Sequence, residues 1–75
     1  MKVEGILLIS VTSSNVRAIG YNKPKKLLYI QFKDNSVYRY TDVPESTWRM
    51  FQTAPSKGKF IWRSIRDKFE YEKLT

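Results

Sequence analysis

The sequence predicts an α+β fold, a small antiparallel sheet of three to four strands followed by two C-terminal helices packed on one face. Two observations favour it. Residues 26–33 alternate between two faces with the period of a strand, and after Asp42 the apolar residues recur at helical spacing. A chain of 75 residues holds one hydrophobic core. We therefore expect one domain over residues 1–75, with residues 1–12 as an N-terminal strand extension.

Two β-rich segments precede the strand at residues 26–33. Residues 5–11 are aliphatic and β-branched, and a cluster of turn-forming residues closes them. Residues 16–21 form a second predicted strand. Gly20 within it indicates a β-bulge or a close approach of another backbone.

A tight hairpin is predicted at Asp34 and Asn35, because both residue types tolerate positive φ. Residues 36–41 then continue as a β-rich strand. The loop length decides which side chains share a face.

Two registers of this hairpin are open. A two-residue turn, which we expect, pairs Phe32 with Val37 and Tyr29 with Tyr40. It puts Tyr38 on the same face as Tyr29. A three-residue turn with a bulge would reverse that parity.

The first helix is predicted to begin after Asp42. Asp42 and Glu45 have the spacing of a capping box, and Pro44 lies where a missing N–H group is harmless. Trp48 and Phe51 recur at helical spacing and are assigned to the core, with Phe51 pinning the helix to the sheet. A second proline ends the run.

The second helix is predicted to begin at Ser56, which can cap it. Four apolar residues of this helix fall within about 100° of one another and are expected to face the core: Ile61, Trp62, Ile65 and Phe69. Three cations gather on a different face and are called the basic stripe below: Lys59, Arg63 and Arg66. The helix is therefore amphipathic with a basic outer face.

Composition narrows the possible functions. The formal net charge is +7, from 14 Lys and Arg against seven Asp and Glu, which favours a polyanion as partner. The chain has no Cys and no His, so it offers neither the usual metal ligands nor a Cys or His catalytic group. Its carboxylates are scattered among cations. We expect a cytoplasmic, non-enzymatic protein without cofactor, metal or membrane segment.

The chain resembles the KTSC family, named for the C-terminal segment of some lysyl-tRNA synthetases and found also as small free-standing bacterial proteins. The resemblance covers residues 14–71 and rests on these motifs: Ser14-Asn15-Val16, Ala18-Ile19-Gly20-Tyr21, alternating Leu28, Ile30 and Phe32, Tyr38-x-Tyr40, Asp42-Val43-Pro44, Ala54-Pro55-Ser56-Lys57-Gly58, and Ile65-Arg66 with Tyr71. It implies a KTSC-like domain and no catalytic residues. The family's association with a tRNA enzyme suggests RNA binding.

The start of the second helix is the first candidate site. Free N–H groups after Ser56, close approach at Gly58 and the charges of Lys57 and Lys59 could hold a phosphate. The alternative is a plain helix cap with two solvated lysines.

Tyrosines of the predicted sheet are the second candidate site. Tyr29, Tyr38 and Tyr40 could stack bases if they lie on an open face, with Tyr21 as a neighbour. The alternative is that these rings form half-buried core under the helices.

The basic stripe is the third candidate, and Arg39 and Lys57 could extend it. Such a surface contacts phosphates without reading sequence, and the alternative is a solvated helix face. The function that the sequence favours is nucleic-acid binding through backbone phosphates, RNA before DNA. A protein-interaction module that docks its basic helix on an acidic partner is the second reading, and both a monomer and a small homo-oligomer are open.

Overall fold

A computed structural model describes residues 1–75. The elements are, in chain order, β1 (Lys2–Val3), β2 (Ile6–Leu7), β3 (Ile9–Ser10), β4 (Val16–Asn22), β5 (Leu27–Phe32), β6 (Val37–Tyr40), α1 (Glu45–Thr53), α2 (Lys57–Phe60), a π-helical turn (Ile61–Ile65) and β7 (Tyr71–Lys73). Strands β3 to β7 form one antiparallel sheet in chain order, and β1 pairs with β2 in a separate hairpin. None of the helices has the length and apolar character needed to cross a membrane.

The predicted α+β class and antiparallel sheet are confirmed, but the predicted number of strands is wrong. Seven strands are present in two sheets. Residues 5–11 do not form one strand, because β2 pairs with β1 whereas β3 turns away to pair with β4. At the other end of the chain, β7 adds an edge strand beside β6. All three residues of β7 are exposed, so the strand has no buried face, and it was not predicted from an alternation of apolar and polar residues.

The predicted two-residue hairpin turn is wrong, and the three-residue alternative is present. Strand β5 pairs Ile30 with Tyr38, not Phe32 with Val37. Asn35 has a φ of 71° and donates its N–H to the Phe32 carbonyl at 2.9 Å. A left-handed residue at the third loop position lengthens the turn by one residue and shifts the register.

This register decides what each face of β6 presents. Tyr38 and Tyr40 lie opposite Ile30 and Leu28, on the helix side of the sheet. Arg39 lies opposite Tyr29, on the other side. The expectation that Tyr38 and Tyr40 share a face with Tyr29 is therefore wrong.

The main core lies between the helices and one face of the sheet. It is a single cluster of nine buried residues: Val16, Ile19, Leu28, Ile30, Tyr40, Val43, Phe51, Ile61 and Ile65. Phe51 is completely buried and its ring stacks on Phe60 with the centroids 5.3 Å apart. The assignment of Phe51 as the residue that holds the first helix to the sheet agrees with this burial.

The hairpin β1-β2 covers the opposite face of the sheet. Leu8, Ala18 and Tyr29 form a second small core beneath it. A Cβ atom on Gly20 would lie 2.9 Å from the Leu7 carbonyl oxygen, so the close backbone approach predicted there is present. The irregular pairing of β4 lies instead between Val16 and Ala18.

The first helix begins without the predicted capping box. Asp42 has a φ of 57° and its side chain makes no cap hydrogen bond; Pro44 is the N-cap residue. Glu45 instead accepts a hydrogen bond from Arg49 at 3.3 Å, one turn later. Trp48 is half-buried and stacks on Tyr21 with the centroids 5.4 Å apart.

The second helix, residues 57–65, joins α2 to the π-helical turn. Its predicted cap is present, because the Ser56 hydroxyl accepts from the Lys59 N–H at 3.3 Å. Ile61 and Ile65 are buried as predicted, but Trp62 is 66% exposed, so its assignment to the core is wrong. The Arg66 N–H bonds to the Ile61 carbonyl five residues back, and this wider turn departs from the 100° per residue that the prediction assumed.

A polar network fastens the N-terminal hairpin to the sheet. The Glu4 carboxylate accepts from the Tyr29 hydroxyl at 2.7 Å and from the Arg39 guanidinium at 2.8 Å. Arg39 also pairs with Glu72 of β7 at 2.8 Å. The hydrogen bonds from Tyr29 and Arg39 lower the pKa of Glu4, and burial raises the pKa of Tyr29 to about 12.

We expect Phe51→Ala to lower the free energy of unfolding by about 3 kcal/mol or more, because it removes a ring that is wholly enclosed in the core. Met50→Ala, on the exposed side of the same helix, is the matched control and should change it by less than about 0.5 kcal/mol. Urea denaturation of both variants measures the two values. Equal effects would contradict the observed orientation of α1.

We expect Glu4→Gln to reduce the loss of stability in acid. The folded-state pKa of Glu4 is lowered, so its contribution is present above its ordinary pKa of about 4.3 and is lost as pH falls through the lowered value. Urea denaturation at pH 7 and pH 3 should therefore show a smaller decline for this variant than for the wild type. Glu70→Gln, which removes a carboxylate that makes no ion pair, is the control; an unchanged decline in the Glu4 variant would contradict the network's role.

Candidate nucleic-acid interface

An open cleft of about 780 Å³ lies between the second helix and the sheet. Strands β6 and β7 and the β5-β6 loop form one wall, and the second helix forms the other. Seven of the lining side chains are aromatic or cationic, five of them aromatic and two cationic: Phe32, Tyr38, Tyr40, Tyr71, Trp62, Lys33 and Arg66.

A cluster of tyrosines forms the sheet wall. The rings of Tyr38 and Tyr71 have their centroids 5.6 Å apart, and those of Tyr40 and Tyr71 are 5.7 Å apart. Phe32 meets Tyr38 edge to face at 5.5 Å. Tyr40 is buried, and burial raises its pKa, whereas Tyr71 is 58% exposed. The cluster is therefore anchored in the core at one end and open to solvent at the other.

Trp62 and Arg66 form the helix wall. The Arg66 guanidinium lies over the Trp62 ring, with its central carbon 4.4 Å from the ring centroid. They are four residues apart in a segment that contains the π-helical turn. The contact is a cation–π pair and limits the positions that both side chains sample.

Charges at the cleft are mixed. Lys33 and Arg66 line it together with Asp34 and Asp67. Asp34 accepts hydrogen bonds from the hydroxyl and the backbone N–H of Ser36, which lower the pKa of its carboxyl group. The cleft interior therefore carries no excess of positive charge from its own lining.

The basic stripe is divided between two neighbouring concavities. Arg66 lines the aromatic cleft, whereas Lys59 and Arg63 line a smaller groove of about 400 Å³. All three side chains are exposed, and none forms an ion pair. The stripe thus flanks the cleft without filling it.

The start of the second helix uses its polar groups internally. Lys57 donates to the carbonyls of Gln52 and Ala54 at 3.1 and 2.8 Å, at the point where α1 ends. A Cβ atom on Gly58 would lie 2.8 Å from the Asn15 side-chain oxygen. The Ser56 hydroxyl already holds one of the free N–H groups. Ser56 therefore acts as the cap that the plain-cap alternative described, whereas Lys57 is bonded to backbone carbonyls and is not the solvated lysine of that alternative.

Arg39 and Tyr29 lie on the opposite side of the sheet from the cleft. Tyr29 is 1% exposed and its hydroxyl is bonded to Glu4, so its ring has no face on which a base could stack. Arg39 is held between Glu4 and Glu72. Because Tyr29 and Arg39 lie on the other side of the sheet, they do not form a common site with the second helix.

Among the lining residues that the sequence analysis did not name as site residues are four aromatic or cationic ones: Phe32, Lys33, Trp62 and Tyr71. The positions of Phe32 and Lys33 at the cleft depend on the hairpin register. The position of Tyr71 depends on β7, a short strand that no sequence pattern predicted. Trp62 has helical spacing with Ile65, so the sequence analysis assigned its side chain to the core. The one sequence signal for its exposure was the four-residue spacing of Trp62 and Arg66, which suits a cation–π pair on the helix surface.

Comparison with known proteins gives one consistent family. The KTSC domain profile matches residues 12–69. The crystal structure of a KTSC domain protein from Yersinia pestis superimposes with a TM-score of 0.90 at 36% identity, covering 93% of this chain and 99% of that one.

Longer relatives contain a similar segment. A lysine–tRNA ligase of Nostoc punctiforme is 34% identical over 68 residues, which cover 91% of this chain and 12% of that enzyme, and one from Trichormus variabilis is 32% identical over the same length. The chain therefore corresponds to a small part of those ligases. With its sequence profile and its structural neighbour in agreement, the chain belongs to the KTSC domain family.

Proposed function

We propose that this domain binds nucleic acid, RNA in preference to DNA, through backbone phosphates contacted by Lys59, Arg63 and Arg66. The observation that supports this most is that these three cations, on the second helix and at its C-cap, are all exposed and none is paired with a carboxylate. Arg39, by comparison, is bound between two acids. Unpaired cations are the ones free to release counterions when they meet a phosphate chain.

Two further features favour RNA and a binding role. The relatives named as lysine–tRNA ligases act, by that name, on an RNA. The absence of His and Cys from the sequence leaves no ready acid–base or nucleophilic group, so we propose binding without catalysis. A cytoplasmic location belongs to the same proposal, since a chain without Cys needs no oxidising compartment in order to fold.

The test replaces Lys59, Arg63 and Arg66 together by Gln. Because the three side chains lie outside the core, the variant should fold, as circular dichroism will report. Each lost phosphate contact should flatten the slope of log affinity against log salt by about 0.7 for single strands or about 0.9 for duplexes. Unrelated RNA sequences should be affected alike, because phosphate contacts carry no sequence information.

The matched control replaces Lys23, Lys25 and Lys26, in the turn between β4 and β5, by Gln. It removes the same charge from another exposed surface and should leave the slope nearly unchanged. Equal slopes for the wild type and the stripe variant would overturn the proposed interface. Binding to neither RNA nor DNA at low salt would overturn the proposal as a whole and favour an acidic protein partner.

We expect Lys57→Gln to separate structure from binding. Its ammonium group bonds to carbonyls near the end of α1, so the substitution should lower the free energy of unfolding by about 1 kcal/mol while leaving the salt slope unchanged. Lys59→Gln should show the reverse pattern. Urea denaturation and RNA titrations on both variants make the comparison; a flattened slope for Lys57→Gln would return this residue to the interface.

A further inference from the structure

Two large aromatic side chains are exposed on opposite walls of one cleft. Trp62 on the second helix is 66% exposed and Tyr71 on β7 is 58% exposed, and both line the cleft of about 780 Å³. The other exposed large apolar residues, Met1, Leu7, Ile9 and Met50, lie outside it. An open cleft of this size with aromatic walls is within the volume range of small-ligand sites.

The charged residues that line the cleft limit the kind of ligand that it can bind. Asp34 and Asp67 balance Lys33 and Arg66 in the lining, so the cleft interior gives a phosphate no net attraction. Arg66 and Lys33, with the net charge of +7, disfavour a cationic guest of the kind that aromatic cages commonly hold. A neutral planar group attached to an anionic chain satisfies both conditions. A nucleobase with its phosphate kept outside is such a group.

The Trp62–Arg66 pair offers a partner for each part of such a ligand: an aromatic ring for the base and a cation for the phosphate. The guanidinium lies over the indole ring, 4.4 Å from its centre, so Arg66 covers one face of Trp62 and the other face is the aromatic surface next to this phosphate partner. Lys59 and Arg63 continue the cationic path into the adjacent groove. This arrangement suits a polynucleotide whose base lies in the cleft while its backbone follows the stripe.

We infer that the cleft binds an unpaired nucleobase, stacked on Trp62 and Tyr71, and that the domain therefore prefers single-stranded RNA to duplex. The inference rests on the proposed function and adds the form of the RNA to it. A duplex keeps its bases inside the stack and offers only its backbone and groove edges, so it can reach the basic stripe but cannot fill the cleft. A single strand can do both.

The test uses the intrinsic fluorescence of Trp62 in a Trp48→Phe variant, which leaves Trp62 as the one tryptophan. An unstructured RNA of ten nucleotides should quench this fluorescence, whereas the same RNA annealed to its complement should not. An abasic strand of equal length retains the phosphates and should bind without quenching. Quenching equal for the abasic strand and the RNA would overturn base stacking.

Affinity measurements give a second, independent result. Trp62→Leu, at an exposed position, should weaken binding of the single strand by at least about fivefold, the effect of losing one stacked base, while changing duplex binding by less than twofold. Met50→Leu, another exposed apolar position outside the cleft, is the control. The salt slope of Trp62→Leu should match the wild type, because no cation is removed.

The outcomes separate this inference from the proposed function. A steep salt slope with no loss in Trp62→Leu and no preference for single strands overturns the inference and leaves phosphate binding intact. No binding of any RNA at low salt overturns both. A loss confined to single strands, together with base-dependent quenching, supports the inference.

Discussion

The register of the β5-β6 hairpin decides how the two faces of this domain are used. Because Asn35 adopts a left-handed conformation, the loop holds three residues, and Tyr38 and Tyr40 turn toward the helices. A register one residue shorter would send these rings to the side covered by the N-terminal hairpin and bring Arg39 to the helix side. The aromatic wall of the cleft and the Glu4–Arg39 network both depend on this turn.

Much of the fold could be predicted because its strongest elements follow local rules. The alternation over β5, the Ser56 cap and the apolar position of Phe51 each depend on neighbouring residues only. What could not be predicted depended on partners distant in sequence. Strand β7 exists because its backbone meets β6, and its three exposed side chains carry no pattern of their own.

The candidate site also has one part that local sequence patterns predict and one part that depends on tertiary contacts. The basic stripe was predicted from spacing along one helix; its three members are exposed, but they line two separate concavities. The cleft needs tertiary information: Trp62 stands at an apolar helical position, yet the π-helical turn and the packing of Ile61 and Ile65 leave it in solvent. Lys57 and Gly58 show the opposite case, since residues typical of a phosphate site here join α1 and Asn15 to the second helix.

The distribution of ion pairs bears on how selective the domain can be. Arg39 and Arg49 are paired with carboxylates of the same molecule, whereas Lys59, Arg63 and Arg66 are not, so the free positive charge is greater along the second helix than at those two arginines. Unpaired cations alone bind any polyanion, and they cannot distinguish a single strand from a duplex. The face of the exposed Trp62 indole that Arg66 does not cover adds a surface on which an accessible base can stack. Charge would then bring the strand to this face, and the aromatic cleft would decide which form of it remains bound.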